Sequence, residues 1–180
     1  MGRSCSYNFL TLTGTEDHIV VTHIKQKMRR SDKEIRNENT INEILANSEI
    51  CRLGMVDNGE AYIVPVNYAY KDGWIYIHSA PNGRKIDLIK KNGIVSFEIE
   101  YSYEIIKDKI PCEWSARYRS LMGRGEITLE YDKEEKKRGL NLIMKKYGGG
   151  TDLAYDESSL SRMILLKMKV LSVTGKQSGE

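Results

Sequence analysis

Several residue types and patterns are scarce in this chain of 180 residues, and each absence narrows what the protein can be. There are three cysteines, Cys5, Cys51 and Cys112, an odd number with no CxxC spacing. That leaves no disulfide framework and points to ordinary reduced thiols, so the expected compartment is the cytoplasm. Three histidines with no neighbouring cysteine ligands argue against a structural zinc site. No apolar run approaches the ~20 residues of a membrane span. The first residues also lack the basic, apolar and small-residue succession of a signal peptide. Charge of one sign is missing too: 28 basic and 25 acidic residues give a net +3. This is not the basic stripe of a nucleic-acid binder. No GxGxxG follows a strand pattern, because Gly123-Arg124-Gly125 falls inside one, so a Rossmann-type site is disfavoured. A single histidine within the patterned region, with no identifiable orienting acid, gives no Ser-His-Asp hydrolase. No carboxylate pair for glycoside chemistry can be picked out either.

What is present is organised around residues 61–92. Two runs rich in Tyr, Val, Ile and Trp flank Lys71-Asp72-Gly73, a strong hairpin signal. The first run alternates Tyr62, Val64, Val66, Tyr68 and Tyr70 on one face, and Pro65 within it argues for an edge or a bulge. The second run puts Trp74, Tyr76 and His78 on one face and Ile75, Ile77 and Ser79 on the other. Then come Pro81-Asn82-Gly83, Arg84-Lys85 and a short helical pattern with Ile86, Leu88 and Ile89. A strand thereby delivers a hydroxyl, a turn and two cations to one helix N-terminus, whose free N–H groups and dipole suit a phosphate. Two solvated charges at a turn is the plainer alternative for Arg84 and Lys85.

Elsewhere the pattern predicts a helix capped by Ser31 or Asp32 and running to about Asn47, with Ile35, Ile41, Ile44 and Leu45 on its apolar face. A strand over 50–56 turns through Asp57-Asn58-Gly59. Further strands are predicted at 94–101 and 118–131, the latter bent or bulged at Gly123 and Gly125. Residues 102–116 read as a loop. Asp132 and Glu135 form a capping box for a helix to Tyr147, with Leu140, Ile143, Met144 and Tyr147 inward, ended by Gly148-Gly149-Gly150. Residues 151–161 read as a loop or short helix, and a last strand covers 163–174. The domain is then 28–175, with residues 1–27 a poorly ordered N-terminal extension and 176–180 a tail. Mostly antiparallel strands with interspersed helices read as a mainly β barrel with peripheral helices.

The order and spacing of three pieces carry a resemblance. They are Val64-Pro65-Val66 in the hairpin, Tyr76-Ile77-His78-Ser79-Ala80 with Gly83-Arg84-Lys85, and Tyr118-Arg119-Ser120-Leu121-Met122-Gly123-Arg124-Gly125. Together the chain resembles the nitroimidazole-resistance (Nim) proteins of the pyridoxamine-phosphate-oxidase-like, FMN-binding split-barrel superfamily. The resemblance implies an FMN-binding split β-barrel, with FAD as an alternative cofactor, and a homodimer with flavin at the subunit interface. It implies a flavin-dependent reductase of small electron-poor substrates such as nitroimidazoles. It places His78 near the flavin as a catalytic residue and Ser79 and Lys85 at the flavin phosphate, with Arg84 beside them. It sets Val64, Pro65 and Val66 along the isoalloxazine ring, and Arg119 and Ser120 on the strand that approaches from the other subunit. His78 would face the substrate with Trp74 and Tyr76 further along the same face. Each residue also has a plainer reading: a structural strand-end histidine, core packing for the valines, a surface ion pair for Arg119. Three alternatives stand beside the reductase: a flavin- or haem-binding module without turnover, a structural dimer with an empty pocket, and an oxidase of the pyridoxamine-phosphate type. The oxidase is disfavoured, because the chain ends in Ser-Val-Thr-Gly-Lys-Gln-Ser-Gly-Glu where those oxidases carry a basic, Trp-containing segment.

Overall fold

The computed structural model describes residues 28–150 and 153–179. The expected N-terminal extension, residues 1–27, lies outside the described residues. The elements in chain order are β1 (Glu34–Ile35), α1 (Glu38–Asn47), β2 (Ile50–Asp57), β3 (Glu60–Asn67), β4 (Ala69–Lys71) and β5 (Trp74–Ser79). There follow α2 (Arg84–Lys91), β6 (Ile94–Ile106), β7 (Ser115–Glu130), α3 (Lys133–Lys146), α4 (Glu157–Ser161) and β8 (Ile164–Ser178).

Turn chemistry sets the hairpins. Asn58 and Gly59 at φ 51° and 90°, and Asp72 and Gly73 at φ 50° and 79°, supply the paired left-handed residues that a two-residue hairpin turn needs. All strand pairs are antiparallel, in the order β3-β2-β6-β7-β8-β5-β4. β3 and β4 are successive pieces of one stretch, broken only at Tyr68, so the two ends of that order are joined through the chain, and among the described residues no ladder links them: the barrel is split there. The sequence predicts one unbroken strand here. The break arises because β3 pairs with β2 while β4 pairs with β5. Tyr68, fully buried at the corner, donates its hydroxyl to the Leu45 carbonyl at 2.8 Å.

Three other expectations need correction. Helix α1 does not start at Ser31 or Asp32: Asn37 caps it, Oδ1 accepting from the Asn39 and Thr40 N–H groups at 2.9 and 3.2 Å. Ile35 leaves the helix face because it is drawn into β1, paired with Gly175 and buried. Residues 102–106 and 115–116, expected as loop, belong to the arm of the β6–β7 hairpin, which runs from Ser102↔Arg119 to Ile106↔Ser115. The arm's residues are mostly exposed, so no one-sided burial pattern marked them as strand. Lys176 to Ser178 are not a tail: they extend β8 against Tyr118–Ser120, and Lys176 also against Glu34. The bulge expected near Gly123 and Gly125 is present, with a register shift between Arg124 and Gly125.

The main core fills the barrel and draws on α1 and α2, with Leu53, Ile75, Ile77, Ile99, Leu121, Leu166 and Met168 among its buried side chains. A second, smaller cluster lies under α3, where Ile143 and Leu142 meet Ala69, Trp74, Tyr76 and Leu165. Of the α3 residues expected inward, Ile143 is buried, while Met144 and Tyr147 are exposed at 38%. Asp132 caps α3 by accepting from the Glu135 N–H at 2.9 Å. The Glu135 carboxylate does not reach back to close the box; it pairs with Arg138 and Lys167. Among the described residues, no helix is long and apolar enough to cross a membrane.

Candidate functional site

Ser79 ends β5, and four residues later Gly83 precedes α2 at φ 118°, ψ 168°. That backbone region is essentially reserved for glycine. No side chain caps this helix start. Gly83 O takes the first helical bonds, from Ile86 and Asp87 at 2.8 and 3.1 Å, so the N–H groups of Arg84 and Lys85 precede the intrahelical ladder. Buried Ile86, Leu88 and Ile89 anchor the helix in the main core and fix the direction of its N-terminus.

The two cations at that end differ sharply. Arg84 donates from Nε to Asp57 Oδ2 at 2.7 Å, and its guanidinium lies over the Tyr62 ring at 4.5 Å. It is committed to the β2–β3 turn and to β3. Lys85 is half-buried, and burial pushes its amine below the ordinary lysine range. Among the described residues no carboxylate pairs with it and no acceptor hydrogen-bonds it. A half-buried ammonium beside uncapped helical N–H groups is a donor set that an anion completes.

The Arg84–Tyr62 contact brings β3 to the same place. Tyr62, Val64 and Val66 share one face of β3; Val66 is buried and the other two pack on the core's margin. Pro65 is exposed and pairs with Arg52. Among the described residues, β3 has a ladder partner on one side only, β2. Pro65 thus sits on an edge strand, where its missing N–H is tolerated. Asp57 and Tyr62 were not among the expected site residues. The Asp57–Arg84 pair spans 27 residues of sequence, and no local pattern announces it.

Strand β5 alternates as expected, yet its outer face does not have the expected surroundings. Ile75 and Ile77 point into the barrel core, while Trp74 and Tyr76 pack under α3. The aromatics therefore serve helix packing instead of lining an open substrate face. His78 follows them on that side, paired with Leu165, and is exposed. Arg119 and Ser120 are half-buried in the first third of β7, opposite Gln177 and Lys176 of β8. Ser79 is opposite Ile164, at the other end of β8. Ile164 and Lys176 are 12 residues apart, about 40 Å of extended strand. Ser79 and Ser120 thus lie against opposite ends of β8.

Comparison with known proteins places this geometry. A family model described as pyridoxamine 5′-phosphate oxidase matches residues 37–177. The chain belongs to the pyridoxamine 5′-phosphate oxidase family. A search of curated proteins finds no match. Among solved structures, the chain is similar to a candidate 5-nitroimidazole antibiotic resistance protein of Bacteroides thetaiotaomicron VPI-5482. Identity is 29% and the TM-score 0.72, over 80% of this chain and 86% of that one. It shares its fold with the FAD and haem binding protein of Mycobacterium smegmatis (14% identity, TM-score 0.74, 82% and 74% of the two chains). It shares it also with a flavocytochrome of Azotobacter vinelandii (15%, 0.71, 85% and 72%). The split barrel expected from the sequence is thus the fold of this member of the oxidase family, and its likeness to the Nim group stands beside the family match.

Proposed function

We propose that this chain is a flavin-binding protein, taking FMN or the phosphate end of FAD at the β5–α2 turn. We further propose that it is a cytoplasmic homodimer reducing small electron-poor molecules such as nitroimidazoles. The observation that carries the cofactor reading is Lys85: half-buried, without an anionic partner among the described residues, and at an uncapped helix start. Those donors fit a phosphate. Flavin, when bound, would supply the electron transfer, and the protein supplies binding, orientation and polarity.

Lys85 and Ser79 hold the phosphate in this reading, together with the first N–H groups of α2. Arg84, held by Asp57, stiffens the rim instead of neutralising the ligand. Val64, Pro65 and Val66 offer the free edge of β3 to the ring, whose outward backbone groups β2 leaves available. His78, exposed at the end of β5, holds or delivers a proton to the substrate from a ring nitrogen. The separation of Ser79 from Ser120 supports the homodimer: Arg119 and Ser120 can serve a flavin site only on a second copy. The 29% identity to the candidate nitroimidazole-resistance protein supports the substrate class.

The absorbance spectrum of the purified protein is the first test, and flavin bands are expected. A Soret band in their place would move the assignment to haem. The second test titrates apo-protein with FMN by fluorescence quenching. Lys85→Ala should weaken binding by about 1–3 kcal/mol, the scale of a charge-assisted hydrogen bond. An unchanged dissociation constant would remove Lys85 from the site.

A further inference from the structure

The start of α2 carries two cations but offers one to a ligand, and the cause lies on another hairpin. Asp57 ends β2, at the turn that leads into β3. Its Oδ2 accepts from Arg84 Nε at 2.7 Å. The Asp57 side chain is only 23% exposed, so its carboxylate is largely packed in place. The guanidinium then lies 4.5 Å from the centroid of the Tyr62 ring. Arg84 is thus clasped between a carboxylate of β2 and a ring of β3.

That clasp sets the charge at the helix start. Asp57 and Arg84 cancel each other. Lys85 remains as a cation without a carboxylate among the described residues. Asp87, exposed in the first turn of α2, adds a negative charge. Together with the partial positive charge of the helix N-terminus, these groups suit about one negative charge. Flavin phosphates differ in that respect. A phosphate monoester, as in FMN, carries close to two negative charges above its second pKa of about 6. Within the pyrophosphate of FAD each phosphate carries one. Space favours the diester as well: Ala80, Pro81, Asn82 and Gly83 are exposed, so the turn is open beyond the phosphate.

We propose, resting on the flavin reading of the β5–α2 turn, that the Asp57–Arg84 pair determines cofactor specificity. It makes the site prefer a flavin phosphodiester, as in FAD, over the phosphomonoester FMN. Asp57 is here a positioning residue that acts through Arg84, by neutralising it and holding it on Tyr62. Without the Asp57 charge, the guanidinium on the first residue of α2 would add a full positive charge within about a Debye length of the phosphate. A dianion gains more from that charge than a monoanion does. No movement of Arg84 is required. Removing the guanidinium instead leaves the carboxylate to repel the phosphate, and a dianion is repelled most.

Calorimetric titration of the full-length apo-protein with FMN and with FAD tests this, at pH 7.5 where the FMN phosphate is a dianion. Wild type should bind FAD more tightly. Asp57→Asn keeps an oxygen for Arg84 Nε and removes the charge. It should raise the affinity for FMN relative to FAD by about three- to fivefold, the scale of one exposed charge interaction. Arg84→Gln should move that ratio the other way, and Asp57→Glu should keep the wild-type ratio. A turn that is merely loosened weakens both flavins alike and leaves the ratio where it was. Tighter binding of FMN than of FAD by wild type, or an unchanged ratio in Asp57→Asn with both flavins bound, would overturn the specificity role and leave the flavin reading intact. Failure of wild type to bind either flavin would withdraw both.

Discussion

At the scale of single residues, neighbours in sequence meet different surroundings. Arg84 and Lys85 are adjacent, yet Arg84 is paired and stacked while Lys85 is half-buried and, among the described residues, without an anionic partner. Lys146 Nζ is buried and, among the described residues, has no hydrogen-bond partner. Its depressed amine has a stability consequence with a definite sign. In the unfolded chain a lysine titrates near its ordinary value of about 10.4, whereas in the folded protein this one titrates at about 8. Between those values the unfolded chain binds more protons, so this group makes stability rise with pH. Below pH 8 both states are protonated and its full cost is present. Cys51 acts oppositely: burial raises its thiol to about 12, so stability falls as pH climbs through the ordinary thiol range. The difference between wild type and Lys146→Met isolates the lysine. Discounted for partial exposure, the variant should be about 1 kcal/mol more stable in urea at pH 7. That advantage should shrink by pH 9.5, and a constant advantage would contradict the desolvation account. Strand alternation sets His78 on the opposite face of β5 from Ser79. His78→Ala should keep flavin bound and slow single-turnover reduction of a nitroimidazole by about 10²-fold, the lower range for loss of a general acid. Reoxidation at the wild-type rate would leave His78 a structural strand-end residue.

At the scale of elements, local chemistry decided the hairpins and most helix ends. The Asn58-Gly59 and Asp72-Gly73 turns, the Asp132 cap and the stop at Gly148 follow rules that need only a few neighbouring residues. The α1 start did not follow: Ser31 and Asp32 are good cap residues, but Ile35 gains a buried site beside Gly175 by pairing with β8. Glycines on β7 show the same competition. A Cβ at Gly123 would lie 2.3 Å from Phe97 Cζ and 2.5 Å from the Ser172 carbonyl. Neither a strand backbone nor a packed ring retreats cheaply. Gly123→Ala should therefore destabilise the domain by about 1–3 kcal/mol, as overpacking does. Urea unfolding would measure this; a change under about 0.5 kcal/mol would mean that β7 shifts to make room.

At the scale of the whole molecule, one stretch of chain serves both ends of the sheet order and wraps the sheet into a split barrel. It breaks at Tyr68 so that β3 can pair with β2 and β4 with β5. That wrapping leaves the β5–α2 turn and the Arg119-Ser120 segment at opposite ends of β8. The proposed homodimer is the arrangement in which both could meet one ligand. Light scattering in dilute buffer should give about twice the chain mass of 20.6 kDa. A monomer that retains flavin would withdraw Arg119 and Ser120 as groups contributed across an interface.

The sequence by itself determined the features whose causes are short-range. These are the two tight turns, the alternation of β5, the apolar anchor of α2, the delivery of Ser79, Arg84 and Lys85 to one helix start, and the mainly β class. Each rests on steric and periodic rules that operate within about ten residues. Only the tertiary structure decided which cation stays without an anion, because the Asp57 that claims Arg84 arrives from another hairpin. It alone turned Trp74 and Tyr76 under α3. It alone made strands of the exposed arm at 102–106 and of Lys176–Ser178, whose pairing partners lie on other strands. Backbone pairing carries no side-chain signature when both faces meet solvent, and a buried amine is set by what packs over it, not by its neighbours in sequence.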